Sequence, residues 1–271
     1  MTPDRHITPV CGTPCWVSLM TRDLHATEDF YSTVMGWKFR TASLGTGFSV
    51  ASAHGRPVAG LGEAAPGLPA AGAWTVYFAV ADADVTAARV HERGGTIAVG
   101  PVRFGLGRGV VAADRDGAVF GFWEGRALPW SGGHGDAPAF LELRTRDAFE
   151  AAIFYAEVFD WAPGGPGGCE VSYVYERETV TVRQGSHAVA TLRGGGVGEC
   201  PDPLVRPRWH VRFPVDDVES VVVAARRAGG TASPSTPSPG GGTESVVSDP
   251  GGGLFSVSGE SVPAERRHPI P

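Results

Sequence analysis

Short runs of alternating hydrophobic and polar residues predict β-strands along the chain. Two such runs, at residues 16–20 and 74–80, are rich in β-branched and aromatic residues. Three more, at residues 38–42, 47–53 and 57–61, are separated by turns that contain glycine. Because successive side chains of a strand point to opposite faces, each strand can bury one face in an apolar core and turn the other face toward a cleft.

Apolar residues at helical spacing follow the first strand. Asp23 is the predicted N-cap of this helix, and Asp147 is the predicted N-cap of a matching helix later in the chain. Two further helices are predicted at residues 85–93 and 218–228. Each of these ends at a Gly-Gly pair that suits C-terminal capping.

The chain contains an internal repeat. Residues 16–23 recur as residues 140–147, at an offset of 124 residues. Later segments, including residues 94–96 and their match 229–231, share an offset of 135. The second copy therefore carries 11 additional residues in its middle, as expected for longer loops.

The repeat predicts an α+β fold of two tandem domains. Each domain is expected to consist of two βαβββ units that form a curved sheet around a cleft. The predicted first domain is residues 1–125, the linker residues 126–137 and the second domain residues 138–271. A chain of 271 residues holds two domains comfortably, so two separate cores are expected.

Several spaced motifs agree with this architecture. They are Asp23 with Phe30-Tyr31 and Gly36-Trp37, the segment Val80-x-Asp82, the pair Gly94-Gly95 and the turn Asp114-x-Asp116-Gly117. Together they resemble the vicinal oxygen chelate superfamily, which includes glyoxalase I, bleomycin-resistance proteins and extradiol dioxygenases. The resemblance covers residues 12–125 and 138–260 and implies the tandem fold, while activities differ widely among members.

The resemblance also implies where metal ligands would lie. Metal-binding members use a His or Glu on the first strand of a domain, a His or Gln on the fifth and a Glu on the eighth. The corresponding residues here are Trp16 and Phe140 on the first strands, Thr75 and His210 on the fifth, and Gly121 and Ser256 on the eighth. Only His210 is a good ligand, so we expect no metal and no other cofactor.

Strand alternation assigns candidate site residues to each cleft. The first cleft is expected to be aromatic and uncharged, with Trp16, Ser18, Met20, Thr75, Tyr77 and Trp123 as substrate-binding candidates. The second cleft is expected to be polar, with Phe140 and Ser256 as substrate-binding candidates and Glu142, Arg144, His210 and Arg212 as catalytic candidates. In the alternative interpretation, Glu142 and the arginines form a structural ion-pair network between the domains.

The leading functional hypothesis is a metal-independent enzyme of antibiotic or secondary metabolism that acts on an aromatic or polycyclic molecule. In this hypothesis Glu142 or His210 is the general base, and Arg144 or Arg212 stabilises developing negative charge. One alternative is a drug-sequestering protein of the bleomycin-resistance type. Another is a glyoxalase-like lyase or a dioxygenase whose metal ligands lie at other positions.

Charge and hydropathy narrow the range of partners. The chain has 23 Lys plus Arg against 29 Asp plus Glu and no basic run, so a nucleic-acid partner is not expected. No signal peptide and no segment of bilayer-spanning length is recognised, which predicts a cytoplasmic protein without a membrane partner. The expected partner is a small molecule, and the chain is expected to be a monomer or a homodimer.

Overall fold

The first domain is an eight-stranded sheet with two helices. The computed structural model describes residues 6–42, 45, 47–64, 72–130, 138–165, 168–174, 178–195, 206–238 and 241–259. The elements of the first domain are β1 (Pro14–Thr21), α1 (Leu24–Met35), β2 (Lys38–Thr41), β3 (Phe48–Ala53), β4 (Arg56–Glu63), β5 (Trp74–Val80), α2 (Ala83–Glu92), β6 (Thr96–Phe104), β7 (Gly107–Ala113) and β8 (Val119–Gly125). Their order across the sheet is β2-β3-β4-β1-β5-β8-β7-β6, so two βαβββ units meet at the antiparallel β1-β5 pair.

The second domain repeats this plan. Its elements are β9 (Phe140–Arg144), α3 (Ala148–Phe159), β10 (Glu170–Val174), β11 (Thr179–Gln184), β12 (His187–Arg193), β13 (Arg208–Pro214), α4 (Val218–Arg227), β14 (Thr231–Ala232), β15 (Thr236–Pro237), β16 (Thr243–Ser248) and β17 (Leu254–Gly259). The sheet order is β10-β11-β12-β9-β13-β17-β16-β14, with β15 paired to β16. The predicted α+β fold of two tandem domains is confirmed. Residues 131–137 of the predicted linker and residues 260–271 lie outside the described ranges.

Each of the four helices begins after an aspartate whose carboxylate accepts backbone N–H groups of the first turn. These N-caps are Asp23, Asp82, Asp147 and Asp217. Gly94 and Gly229, which directly follow the C-caps of α2 and α4, have φ angles of +81° and +85° and so use the left-handed conformation that glycine adopts readily. Within the described ranges, no helix combines the length and apolarity needed to cross a membrane.

The helix-bearing faces of the two sheets pack against each other. Trp74 and Phe78 of β5 lie opposite Phe213 and Trp209 of β13, with 5.3 Å between ring centroids in both pairs. Helix α1 also contacts α4, and α2 contacts α3. The buried apolar residues of both domains form one cluster, so the expectation of two separate cores is wrong. The reason is that each sheet covers the apolar face of the other.

Two buried tyrosines make matching hydrogen bonds across this boundary. The Tyr31 hydroxyl donates to Asp249 Oδ2 at 3.0 Å, and the Tyr155 hydroxyl donates to Asp114 Oδ2 at 2.9 Å. The two tyrosines are 124 residues apart and the two aspartates 135 residues apart, which are the offsets of the internal repeat. The reciprocal exchange indicates that the two domains are related by an approximate twofold axis.

The opposite face of each sheet points away from the boundary. In the first domain, Phe48 of β3 contacts Phe104 of β6 at 6.4 Å between ring centroids. These strands lie near opposite edges of the sheet, so the sheet curls around this face. The two concave faces are therefore separate from the shared core and from each other.

Candidate functional site

Cleft one is the concave face of the first sheet. Val17 and Leu19 of β1 are fully buried on the helix side, which turns the alternate residues of this strand and of its partner β5 into the cleft. The half-buried residues that line it are Trp16, Ser18, Met20, Phe48, Thr75, Tyr77, Phe104 and Trp123. The six substrate-binding candidates of the first domain thus lie on one face, and their contact with a ligand stays a prediction.

Glycines lie beneath several of these rings. A Cβ atom at Gly60 would be only 2.8 Å from Trp16 Nε1, and a Cβ atom at Gly121 would overlap the ring of Tyr77. The rings of Trp16 and Tyr77 therefore occupy the space that a side chain at position 60 or 121 would fill. Cleft one is lined by aromatic surface, which suits contact with a flat apolar molecule.

Two aromatic residues of cleft one were not predicted from the sequence. Phe104 stacks on Trp123 with 6.1 Å between centroids and an interplanar angle of 26°, and Phe48 meets Phe104 edge to face. The side chain of Tyr77 hydrogen-bonds Ser18, while burial raises the pKa of the Tyr77 hydroxyl. The named lining residues carry no charge at neutral pH, so cleft one suits an uncharged aromatic surface.

Cleft two is the concave face of the second sheet. It contains Phe140, Glu142 and Arg144 of β9, Arg208, His210 and Arg212 of β13, and Ser256 of β17. Across the β9-β13 pair, Arg212 is opposite Phe140, His210 opposite Glu142 and Arg208 opposite Arg144. The structure therefore brings the six candidates of the second domain together and adds Arg208. Its position on the same face as His210, two residues away, was the signal that could have identified it.

The His210 side chain is buried and uncharged. It is 4% exposed, and its Nε2 atom lies 2.7 Å from Ser256 Oγ. Burial, followed by the positive charges of Arg144 and Arg208, lowers the pKa of His210 to about 3. At neutral pH the residue is therefore a neutral imidazole.

Glu142 is ionised and paired. Arg144 Nε donates to Glu142 Oε1 at 2.8 Å. Burial by itself raises the pKa of Glu142, but the hydrogen bond from Arg144 and the charges of Arg144 and Arg193 outweigh this effect, so the net pKa is lowered. A second pair joins Arg212 Nη1 to Glu244 Oε2 at 3.2 Å. Both ion pairs lie within the second domain and not between the domains.

The residues at the metal positions of the family do not fit a divalent cation. These positions hold Trp16, Thr75 and Gly121 in cleft one, and Phe140, His210 and Ser256 in cleft two. One imidazole and two hydroxyls are too few donors for Zn, Fe or Mn, and the imidazole is already bonded to Ser256. No group of three or more His, Cys, Asp or Glu side chains that could hold a metal occurs in the described part of the chain.

A cavity of about 300 Å³ lies between the domains, and Met20 of cleft one is among the residues that line it. Its walls include Thr21 and Asp23 at the start of α1, and Asp249 and Pro250 of the second domain. Asp249 already accepts hydrogen bonds from Tyr31 and from the Gly253 backbone. The cavity is therefore a gap in the interdomain packing, and the two clefts are the better candidates for a functional site.

Comparison with known proteins supports the architecture. The family model of the glyoxalase/bleomycin resistance protein/dioxygenase superfamily matches residues 13–122, and that of a glyoxalase-like domain matches residues 140–258. The chain is 31% identical over 266 residues to the anthracycline biosynthesis protein DauV of Streptomyces sp. (strain C5), covering 91% of this chain and 92% of DauV.

Solved structures with the same fold include a Mn(II)-bound glyoxalase and a 2,3-dioxygenase. The Mn(II)-bound glyoxalase from Novosphingobium aromaticivorans superposes with a TM-score of 0.57 at 18% identity, covering 93% of this chain and 83% of that one. The 2,3-dioxygenase LapB from Pseudomonas sp. KL28 gives a TM-score of 0.59 at 13% identity, covering 97% and 98% of the two chains. This chain therefore belongs to the glyoxalase/bleomycin resistance protein/dioxygenase superfamily.

Proposed function

We propose that the protein acts on an aromatic or polycyclic small molecule of antibiotic or secondary metabolism, and that it does so without a metal ion. The observation that carries this proposal is the set of aromatic side chains on the concave face of the first sheet, where Trp16 and Tyr77 pack directly over glycines. The similarity to an anthracycline biosynthesis protein supports the same ligand class, because anthracyclines contain fused rings.

Metal independence is supported by the chemistry of the donor positions. In cleft one the three family positions hold an indole, a single hydroxyl and a glycine. In cleft two His210 is the one strong donor of the three, and Ser256 occupies its Nε2. A chelator should therefore leave ligand binding unchanged.

The polar groups of cleft two support stabilisation of negative charge better than base catalysis. A general base works best when its pKa is near the working pH. The pKa of His210 is about 3, and arginine charges lower the pKa of Glu142. We therefore assign Arg144 and Arg212 the role of stabilising negative charge on a bound molecule, and we give the general-base role of Glu142 or His210 less weight.

Binding can be tested with 1,4-dihydroxyanthraquinone, titrated into the protein and followed by its visible absorbance. Trp123→Ala should weaken binding about tenfold or more, because it removes a large stacking surface. Gly121→Ala should also weaken binding, since the added Cβ forces the Tyr77 ring off the strand and into the cleft. Phe149→Ala is the matched control, because this half-exposed ring lies on α3, outside both clefts. Equal binding by all three variants would contradict the proposal.

A second measurement separates an enzyme from a sequestering protein. The ligand is incubated with the protein in the presence of EDTA and analysed by mass spectrometry. Product formed under these conditions supports metal-independent catalysis, whereas tight binding without product supports the drug-sequestering alternative. Binding or turnover that requires added Mn, Fe or Ni would overturn metal independence and support a glyoxalase-like lyase or a dioxygenase.

A further inference from the structure

We propose that cleft two is a separate binding site for an aromatic carboxylate. The carboxylate would be held by Arg208 and Arg144, and the flat apolar part of the ligand would lie against Phe140 and Arg212. This site differs from cleft one in position and in the charge of its ligand. It rests on the proposed function in one respect, because both use the positive charge of Arg144 to hold a negative group in cleft two.

Three arginines occupy one row across the second sheet. Arg208 is directly opposite Arg144 on one side, and Arg193 is directly opposite Arg144 on the other. Neighbouring strands are about 4.8 Å apart, so the three side chains start close together on the same face. Among the described residues, the carboxylate that contacts this row is that of Glu142, through its ion pair with Arg144. The row therefore has an excess of positive charge.

Two arginines in this cleft each have a buried N–H donor without a hydrogen-bond partner among the described residues. The Nε atoms of Arg208 and Arg212 are buried and have no hydrogen-bond partner among the described residues. Arg208 Nη1 donates to the carbonyl oxygen of Arg206 at 3.4 Å. Burial and the charge of Arg144 lower the pKa of Arg208, which means that its cation is poorly compensated. A ligand carboxylate would accept from the Arg208 guanidinium, whose planar arrangement of N–H groups suits two-point pairing.

The other end of the cleft offers an apolar platform. The Phe140 side chain is 49% exposed although it faces a cleft. The guanidinium of Arg212 lies 5.2 Å from the centre of the Phe140 ring. Along β13, Arg212 is four residues from Arg208, which corresponds to about 13 Å in a strand. A ligand with a carboxylate at one end and a flat ring system at the other matches both ends.

The test compares anthraquinone-2-carboxylate with its neutral carboxamide by titration calorimetry at low ionic strength. The wild-type protein should bind the acid about tenfold or more tightly than the amide, because the neutral amide cannot form the charge-assisted pair with arginine that the carboxylate forms. Arg208→Gln should remove this preference. Arg208→Lys, which keeps the charge and loses the planar fork, should retain a smaller preference. Arg115→Gln is the control, since Arg115 is exposed and paired with Glu150 outside both clefts.

Trp123→Ala separates this proposal from the preceding one. It should weaken dihydroxyanthraquinone binding in cleft one and leave the acid-over-amide preference unchanged. Equal affinity for acid and amide in the wild type, or a preference that survives Arg208→Gln, would overturn the carboxylate site. Displacement of the acid by an equal concentration of inorganic phosphate would overturn the requirement for an aromatic body. Melting temperatures of all variants establish that each protein is folded.

Discussion

The His210 imidazole is held neutral among charged side chains. Arg144, Arg208 and Arg212 face it with positive charge, and Glu142 faces it with negative charge. The folded-state pKa is about 3, whereas the ordinary value is 6.5. Between these two pH values the unfolded chain binds a proton that the folded protein excludes. The stability contribution is therefore complete above pH 6.5 and is lost as the pH falls toward 3.

We expect this residue to make the free energy of unfolding fall by up to about 1.4 kcal/mol for each pH unit below 6.5. Urea unfolding of wild type and His210→Gln at pH 7, 6, 5 and 4 checks this. The wild type should lose stability relative to the variant as the pH falls. A wild-type-minus-variant difference that is constant from pH 7 to pH 4 would refute the assignment.

Single residues also show what strand alternation can and cannot predict. It placed Trp16, Tyr77 and His210 on the concave faces, because a two-residue period is a local property. Phe48 and Phe104 were not predicted, because their contact depends on how far the sheet curls. Arg208 obeys the same alternation as His210, and its role became visible only when the register placed it opposite Arg144.

At the scale of elements, the helices are fixed by local sequence. Asp217 Oδ1 accepts from the backbone N–H groups of Glu219 and Ser220, and the Ser220 hydroxyl donates to Asp217 Oδ2 at 2.6 Å. These bonds lower the pKa of Asp217. Since each bond lies within one helical turn, the start of α4 could be predicted without knowledge of the fold.

Asp217→Ala should lower the free energy of unfolding by about 1 kcal/mol, because the first turn of α4 loses its capping acceptor. Chemical denaturation measures the change. Asp217→Asn is the matched variant, since an amide oxygen caps a helix nearly as well as a carboxylate. If the alanine and asparagine variants lose the same amount, the side-chain oxygen is not the stabilising group.

At the scale of the whole molecule, the two domains share one core. Contacts such as Tyr31 to Asp249 join residues 218 positions apart. The repeat predicted two domains correctly, yet each domain was expected to bury its own apolar face. Hydrophobic periodicity identifies the face that must be covered and does not identify what covers it.

We therefore expect the protein to unfold in a single transition. Tyr155→Phe removes a donor to the buried Asp114 and an acceptor for the Trp209 indole N–H, and should cost roughly 1–3 kcal/mol. Calorimetry should show one transition that moves down by several degrees, with equal calorimetric and van't Hoff enthalpies. Tyr31→Phe should shift the same transition. Two transitions, with only one affected by each variant, would contradict a shared core.

The back-to-back packing of the sheets also bears on how such a protein diversifies. Along each strand, inward side chains that pack in the shared core alternate with outward side chains that line a cleft. The two sets therefore lie on opposite faces of the sheet. A substitution on the outward side can therefore exchange a phenol for a guanidinium, which is how the repeat-related residues Tyr77 and Arg212 differ, at little cost to the inward side. Each copy of the repeat can thus carry its own chemistry while both depend on one common interior.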